Sequence, residues 1–232
     1  MHEQLTWFSL IPGLKDVPNY MIIYPLTGVI LVVCTLLVYR TLKRTDYPEV
    51  PEERFTLSSL FDVIYEALYN FTASVIPEGP ERFLPLIGTL FIFIFFSNLW
   101  GVIPGMAPPT DKLDTNVAMA GIVFVAYNYY GFKAHGIKYV KHFMGPIWWL
   151  APIMLVVEVM SNLVRPFSLS LRLFGNMLGD HTVLGIFSHL LPVLVPIFFM
   201  ILGIFVSFIQ ALIFSILSAV YIALAVAHEE ED

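Results

Sequence analysis

The sequence predicts an all-α integral membrane protein, and three observations carry that prediction. Of its 232 residues, 58% are hydrophobic and only 13% charged, against about 25% charged and 45–50% apolar in soluble domains. The apolar residues gather into uncharged runs of at least about seventeen, the lower limit for an α-helix crossing a hydrocarbon core of ~30 Å. The prolines and most charges fall between those runs. Net charge is −6, but four of the acids are the terminal Glu229-Glu230-Glu231-Asp232, so 228–232 reads as a solvated acidic tail. The single cysteine, Cys34, lies in an apolar run, which excludes a disulfide framework and a thiolate metal cluster.

Taken in order, residues 1–19 contain Pro12 and Pro18 but no basic stretch followed by a cleavage site, and read as an external N-terminal segment rather than a signal peptide. Residues 20–39 carry no charge and form a first span, closed by Arg40, Lys43 and Arg44. Over 56–76, Leu57, Leu60, Phe61, Ile64, Leu68, Phe71 and Val75 recur at helical spacing, while Asp62, Glu66 and Asn70 fall opposite. That pattern predicts an amphipathic helix at an interface, not a span. Residues 83–103 are a second span, with Asn98 and Trp100 expected in the interfacial zone at its far end. A proline-rich external loop leads to 116–132, a span of minimal length with Tyr127, Tyr129 and Tyr130 as an aromatic belt at its exit.

The end of the chain is unusual. Residues 147–191 are interrupted only by Glu158, Arg165, Pro166, Arg172, Asp180 and neutral polar groups. A helix of that length measures roughly 65 Å, so it is strongly tilted, or broken at Pro166, or both. Pro192 and Pro196 are expected to make a turn into the last helix, 193–227. The apolar part of that helix, 197–227, is about 46 Å long and needs a tilt on the order of 50°. This totals about five membrane-crossing helices plus one interfacial helix. The basic residues cluster in the loops around Arg40–Arg54 and Lys133–Lys141, so the positive-inside rule puts the N-terminus outside and the acidic tail in the cytoplasm.

At about 100° per residue, Glu158, Arg165, Arg172, Asn176 and Asp180 share one face of the 147–191 helix within roughly 80°, whereas His181 lies near +140° from Glu158. Gly203, Ser207, Gln210, Phe214, Ser218 and Tyr221 form a matching face on the last helix. Gly203, Ser207 and Ser218 suit close helix–helix packing, and the Gln210 amide needs a partner in hydrocarbon. Arg172 is the exceptional residue. Asp180 lies about 12 Å away along the axis, and arginine cannot shed its proton. Its anion must come from another chain. No nucleotide loop, metal motif or nucleophile elbow is evident, so neither a cofactor nor nucleic acid is implied and the chain reads as non-catalytic.

The string Ser168-Leu-Ser-Leu-Arg172-Leu-Phe-Gly-Asn176-Met resembles the signature of subunit a of the membrane sector of bacterial F-type rotary ATP synthases. The likeness runs along essentially the whole chain. It implies a multi-pass protein of the bacterial inner membrane that forms two aqueous half-channels and exchanges protons with the carboxylate on a ring of c subunits. The remaining implied partners are the subunit b peripheral stalk, the rest of the synthase and membrane lipid. Arg172 matches the essential arginine, Asn176 and Gln210 the family's amides, and Glu158 an acid on the cytoplasmic access side. Where a proteobacterial pattern has Gly-Glu after the arginine and His on the last helix, this chain has Asp180, His181 and Gly203. Either Asp180 or His181 then serves as the proton relay. The alternative, a self-contained secondary transporter, calls for internal repeats, and no convincing repeat is present.

Overall fold

The computed structural model describes residues 19–44, 57–76, 79–103, 106, 108–136, 139, 149–187 and 194–227. Within these residues every regular element is helical: α1 (Asn19–Arg44), α2 (Leu57–Val75), α3 (Leu84–Leu99), α4 (Leu113–His135), α5 (Ala151–Phe187) and α6 (Leu194–Val226). The stretches Leu84–Val102, Ala151–Phe187 and Pro196–Val226 are each long and apolar enough to cross a membrane, and Met21–Leu37 adds a shorter apolar stretch. The protein is therefore an all-α integral membrane protein. The N-terminal segment 1–18, the acidic tail, Lys138, Lys141, His189 and Pro192 lie outside the described residues.

Three helix starts follow from local chemistry. Gly79 takes a left-handed conformation (φ 65°) that turns the chain into a 3-10 turn at Pro80–Arg82. Pro85 then occupies the first turn of α3, where a missing N–H costs no helical hydrogen bond. Pro196 does the same in α6, which begins at Leu194. It belongs to the helix and not to the turn before it, a correction to the expectation from sequence. α4 starts at Leu113, with Asp114 in its first turn where an acid suits the helix dipole.

α5 is one continuous helix of 37 residues with Pro166 inside it, roughly 55 Å long. Proline has no N–H to offer the carbonyl four residues earlier, which here is that of Asn162. The Tyr127 hydroxyl of α4 donates to that carbonyl at 2.9 Å. Of the alternatives open in the sequence, the break at Pro166 does not occur, since the helix continues through it.

α6 packs along α3 and α4, while α5 lies mainly along α4 and touches α6 only lightly. The core is built from Ile87, Phe91 and Ile94 of α3, Val123 and Tyr127 of α4, Leu169 and Leu173 of α5, and Phe214 and Ile222 of α6. α2 turns Leu68 and Thr72 inward and leaves Asp62, Glu66 and Asn70 exposed. Two groups at the far end of α3 contact neighbouring elements. Asn98 is 1% exposed, and Trp100 donates its Nε1–H to the Thr27 hydroxyl of α1 at 2.8 Å. Tyr127 is fully buried, so it is no part of an aromatic belt, whereas Tyr129 is 59% exposed.

Candidate functional site

Arg172 sits midway along α5 on an exposed strip with Gly175, Asn176 and Gly179. Among the described residues it makes no hydrogen bond or ion pair, and the one salt bridge there joins Lys112 to Asp111 at 3.9 Å. One turn on, Asn176 donates its Nδ2–H to Oε1 of Gln210. Gln210 is only 2% exposed, so this bond answers the demand of an amide buried in hydrocarbon and is the chief polar tie between α5 and α6 near the arginine.

Eight residues beyond Arg172, about 12 Å along the axis, Asp180 borders a cavity with about 40 Å³ of space for water. That is room for roughly three molecules. Its wall also includes Met177 and Leu184 of α5, Phe199, Met200, Leu202, Gly203 and Ser207 of α6, and Asn98, Gly101 and Val102 of α3 and its following turn. Gly203 matters here sterically, since a Cβ at this position would lie 3.3 Å from Val102 Cγ2. Asn98 accepts a hydrogen bond from the Thr110 hydroxyl at 2.7 Å, and Asn116 donates to the Thr110 carbonyl at 2.8 Å. The Asn98 Nδ2 donor and the Asn116 Oδ1 acceptor are buried without protein partners among the described residues. Of the two residues only Asn98 borders the cavity, where water can satisfy its donor. Sequence reasoning missed this cluster. Its one available signal was an asparagine inside an otherwise apolar span. The backbone of His181 continues α5, but its side chain lies outside the described residues.

Toward the other end of α5 the polar groups belong to a different environment. Glu158, about 21 Å from Arg172 along the helix, and Arg165 are both half-buried. They form no ion pair with each other among the described residues. The Arg165 guanidinium instead lies over the Tyr221 ring of α6, 5.7 Å from its centroid, a cation–π contact. Asn162 donates to Asn128 at 3.2 Å, and Tyr139 donates to the same Asn128 oxygen at 3.2 Å. Burial pushes the Tyr139 phenol above its usual range, with the Arg165 charge opposing and that of Glu158 reinforcing the rise. Ser218 is fully buried but donates to the Phe214 carbonyl of its own helix at 2.8 Å. It packs by being small and makes no bond across the interface.

Among the described residues no three His, Cys, Asp or Glu side chains are placed to hold a metal ion together. The arrangement thus offers a fixed cation at mid-helix, a small, mostly apolar cavity bordered by a carboxylate on one side of it, and a carboxylate with a second cation on the other.

Comparison with known proteins gives the family. Residues 21–223 match the family model described as ATP synthase A chain. The chain belongs to that family. It is similar to the ATP synthase subunit a of Bdellovibrio bacteriovorus, with 39% identity over 96% of this chain and 98% of the relative. The ATP synthase subunit a of Trichlorobacter lovleyi is 44% identical over 90% of this chain and 88% of its own. Identity rises to 54% with ATP synthase subunit a 2 of Syntrophotalea carbinolica, over 63% of this chain and 62% of that one. The A-chain family match covers α1 to most of α6, so every polar group described above falls within it.

Proposed function

We propose that this chain is the stator subunit of the membrane sector of a bacterial ATP synthase, passing protons between two half-channels and a rotating ring of c subunits. The observation that carries the reading is Arg172, an exposed mid-helix cation without an anion among the described residues. A guanidinium in hydrocarbon costs at least about 2.5 kcal/mol, so its carboxylate comes from a partner. Gly175 and Gly179, with open space where a Cβ would stand, let a partner helix approach closely.

The electrostatics then give directionality. A ring carboxylate is stabilised as an anion beside Arg172, and it takes up a proton before entering lipid, where a buried charge is costly. The cavity at Asp180, with His181 one residue on, is the loading path from the outside. Glu158 marks the exit to the cytoplasm, and the Asn176–Gln210 bond holds α5 and α6 in register beside the arginine. Gly203, Ser207 and Ser218 keep the helices close. The topology is an external N-terminus, five crossings with α5 and α6 strongly tilted, and a cytoplasmic tail, with the subunit b stalk completing the stator. The chain itself catalyses no bond making or breaking.

Replacing Arg172 with Ala tests the reading. In membranes carrying the whole synthase, the variant assembles but loses ATP-driven proton pumping. Wild-type pumping by Arg172→Ala would overturn it.

A further inference from the structure

We infer that Tyr127 is a positioning residue for Arg172, acting by replacing the hydrogen bond that Pro166 removes from α5. The inference rests on the stator reading above and concerns what keeps the arginine where that reading needs it. Prolines are the usual cause of sharp helix kinks, of more than about 20°. Pro166 stands six residues before Arg172, roughly 9 Å along the axis, so a kink of that size would displace the arginine backbone by about 3 Å. α5 nevertheless runs unbroken from Ala151 to Phe187.

The geometry shows what replaces the missing donor. The Tyr127 hydroxyl is 2.9 Å from the Asn162 carbonyl, the acceptor that a residue other than proline at 166 would have engaged. The hydroxyl's single proton is shared with Asn162 Oδ1 in a three-centre bond, and Asn162 Nδ2 donates to Asn128 of α4. Tyr127 is fully buried, so no bulk water competes for either oxygen. Its ring is fixed edge-on against Phe124, with centroids 5.5 Å apart. The hydroxyl is therefore held by α4 itself, and α5 is pinned to α4 at the point where its own ladder fails. A displacement of even 1 Å in a reacting geometry can cost about a hundredfold in rate.

The test uses the assembled synthase in membrane vesicles and reads protons pumped per ATP hydrolysed. Tyr127→Phe, which keeps the ring and removes the hydroxyl, lowers that ratio by about tenfold or more at normal assembly levels. Tyr127→Phe combined with Pro166→Ala recovers it, because alanine returns an N–H to the Asn162 carbonyl. A loss that is purely one of packing would not be repaired by a substitution on another helix. Unchanged coupling in Tyr127→Phe, or failure of the double variant to recover, would overturn the inference. Arg172→Ala run alongside separates the two readings. If it alone abolishes pumping, the stator reading stands whatever Tyr127 does; if it pumps normally, that reading fails independently.

Discussion

Gly131 shows how finely the fold is set at single residues. A Cβ at this position would come within 2.6 Å of the Tyr139 ring and 3.1 Å of the Ala225 carbonyl. That contact can be relieved only by moving the ring that bonds Asn128. Gly131→Ala is expected to lower stability by about 1–3 kcal/mol through overpacking. Gly121→Ala, where a Cβ meets nothing within 4 Å, should be neutral or slightly stabilising. Thermal unfolding of both variants in detergent checks the contrast, and equal shifts would remove the steric argument. Asp180 makes a residue-scale prediction of another kind. As the ionisable wall of a water-sized cavity, it should share proton loading with His181. Asp180→Asn should slow ATP-driven pumping, and Asp180→Asn with His181→Ala should slow it by ~10²-fold or more, the usual worth of a placed acid–base group. Full activity in the double variant would remove both from the path.

Among the helices, the informative contrast is between polar groups that bridge elements and those that serve their own backbone. Gln210 and Ser218 lie on the same predicted face of α6, yet only Gln210 crosses to α5, while Ser218 bonds Phe214 one turn back. Ser218→Ala should change stability by no more than about 0.5 kcal/mol, since a back-bonded serine adds little to its helix. Ser218→Leu should cost about 1–3 kcal/mol by forcing the buried contact apart. Denaturant titration in micelles distinguishes the two; a large loss in the alanine variant would mean that the hydroxyl bonds across the interface. The helical faces were legible in the sequence because a period of 3.6 residues is a local property. Which serine uses its hydroxyl within its own helix was not. Nor was the inward turn of Tyr127, whose neighbours Tyr129 and Tyr130 made an aromatic belt the natural reading. Only the position of α5 beside α4 explains why that tyrosine faces the core.

For the whole molecule, α5 is gripped by α4 and only lightly by α6. Much of its surface is left exposed, including Val156, Met160, Leu163, Val164, Phe167 and Leu171. On the proposed reading, a chain arranged this way is one half of a device. Each elementary charge moved through 100 mV is worth about 2.3 kcal/mol, and that work can be collected only if the ions pass by way of a moving partner. Purified and reconstituted alone in liposomes, the chain should show no proton uptake above empty vesicles under an imposed potential. With the c ring present, flux should appear. Transport by the chain alone would favour the self-contained transporter.

The sequence by itself determined the membrane class and the helical faces, and it singled out Arg172 as a fixed charge within an apolar helix. Each of these follows from composition, local periodicity or the fixed protonation of a guanidinium. The tertiary structure decided the rest. It decided that α5 stays whole through Pro166, that Asn98 and Tyr127 face inward, and that Asp180 meets Gly203 and Ser207 around one small cavity. Those outcomes depend on hydrogen bonds and contacts between residues distant in the chain, such as the 35 positions that separate Tyr127 from Asn162. No local pattern encodes which distant carbonyl or hydroxyl a buried polar group will find, because only the packed helices bring the two together.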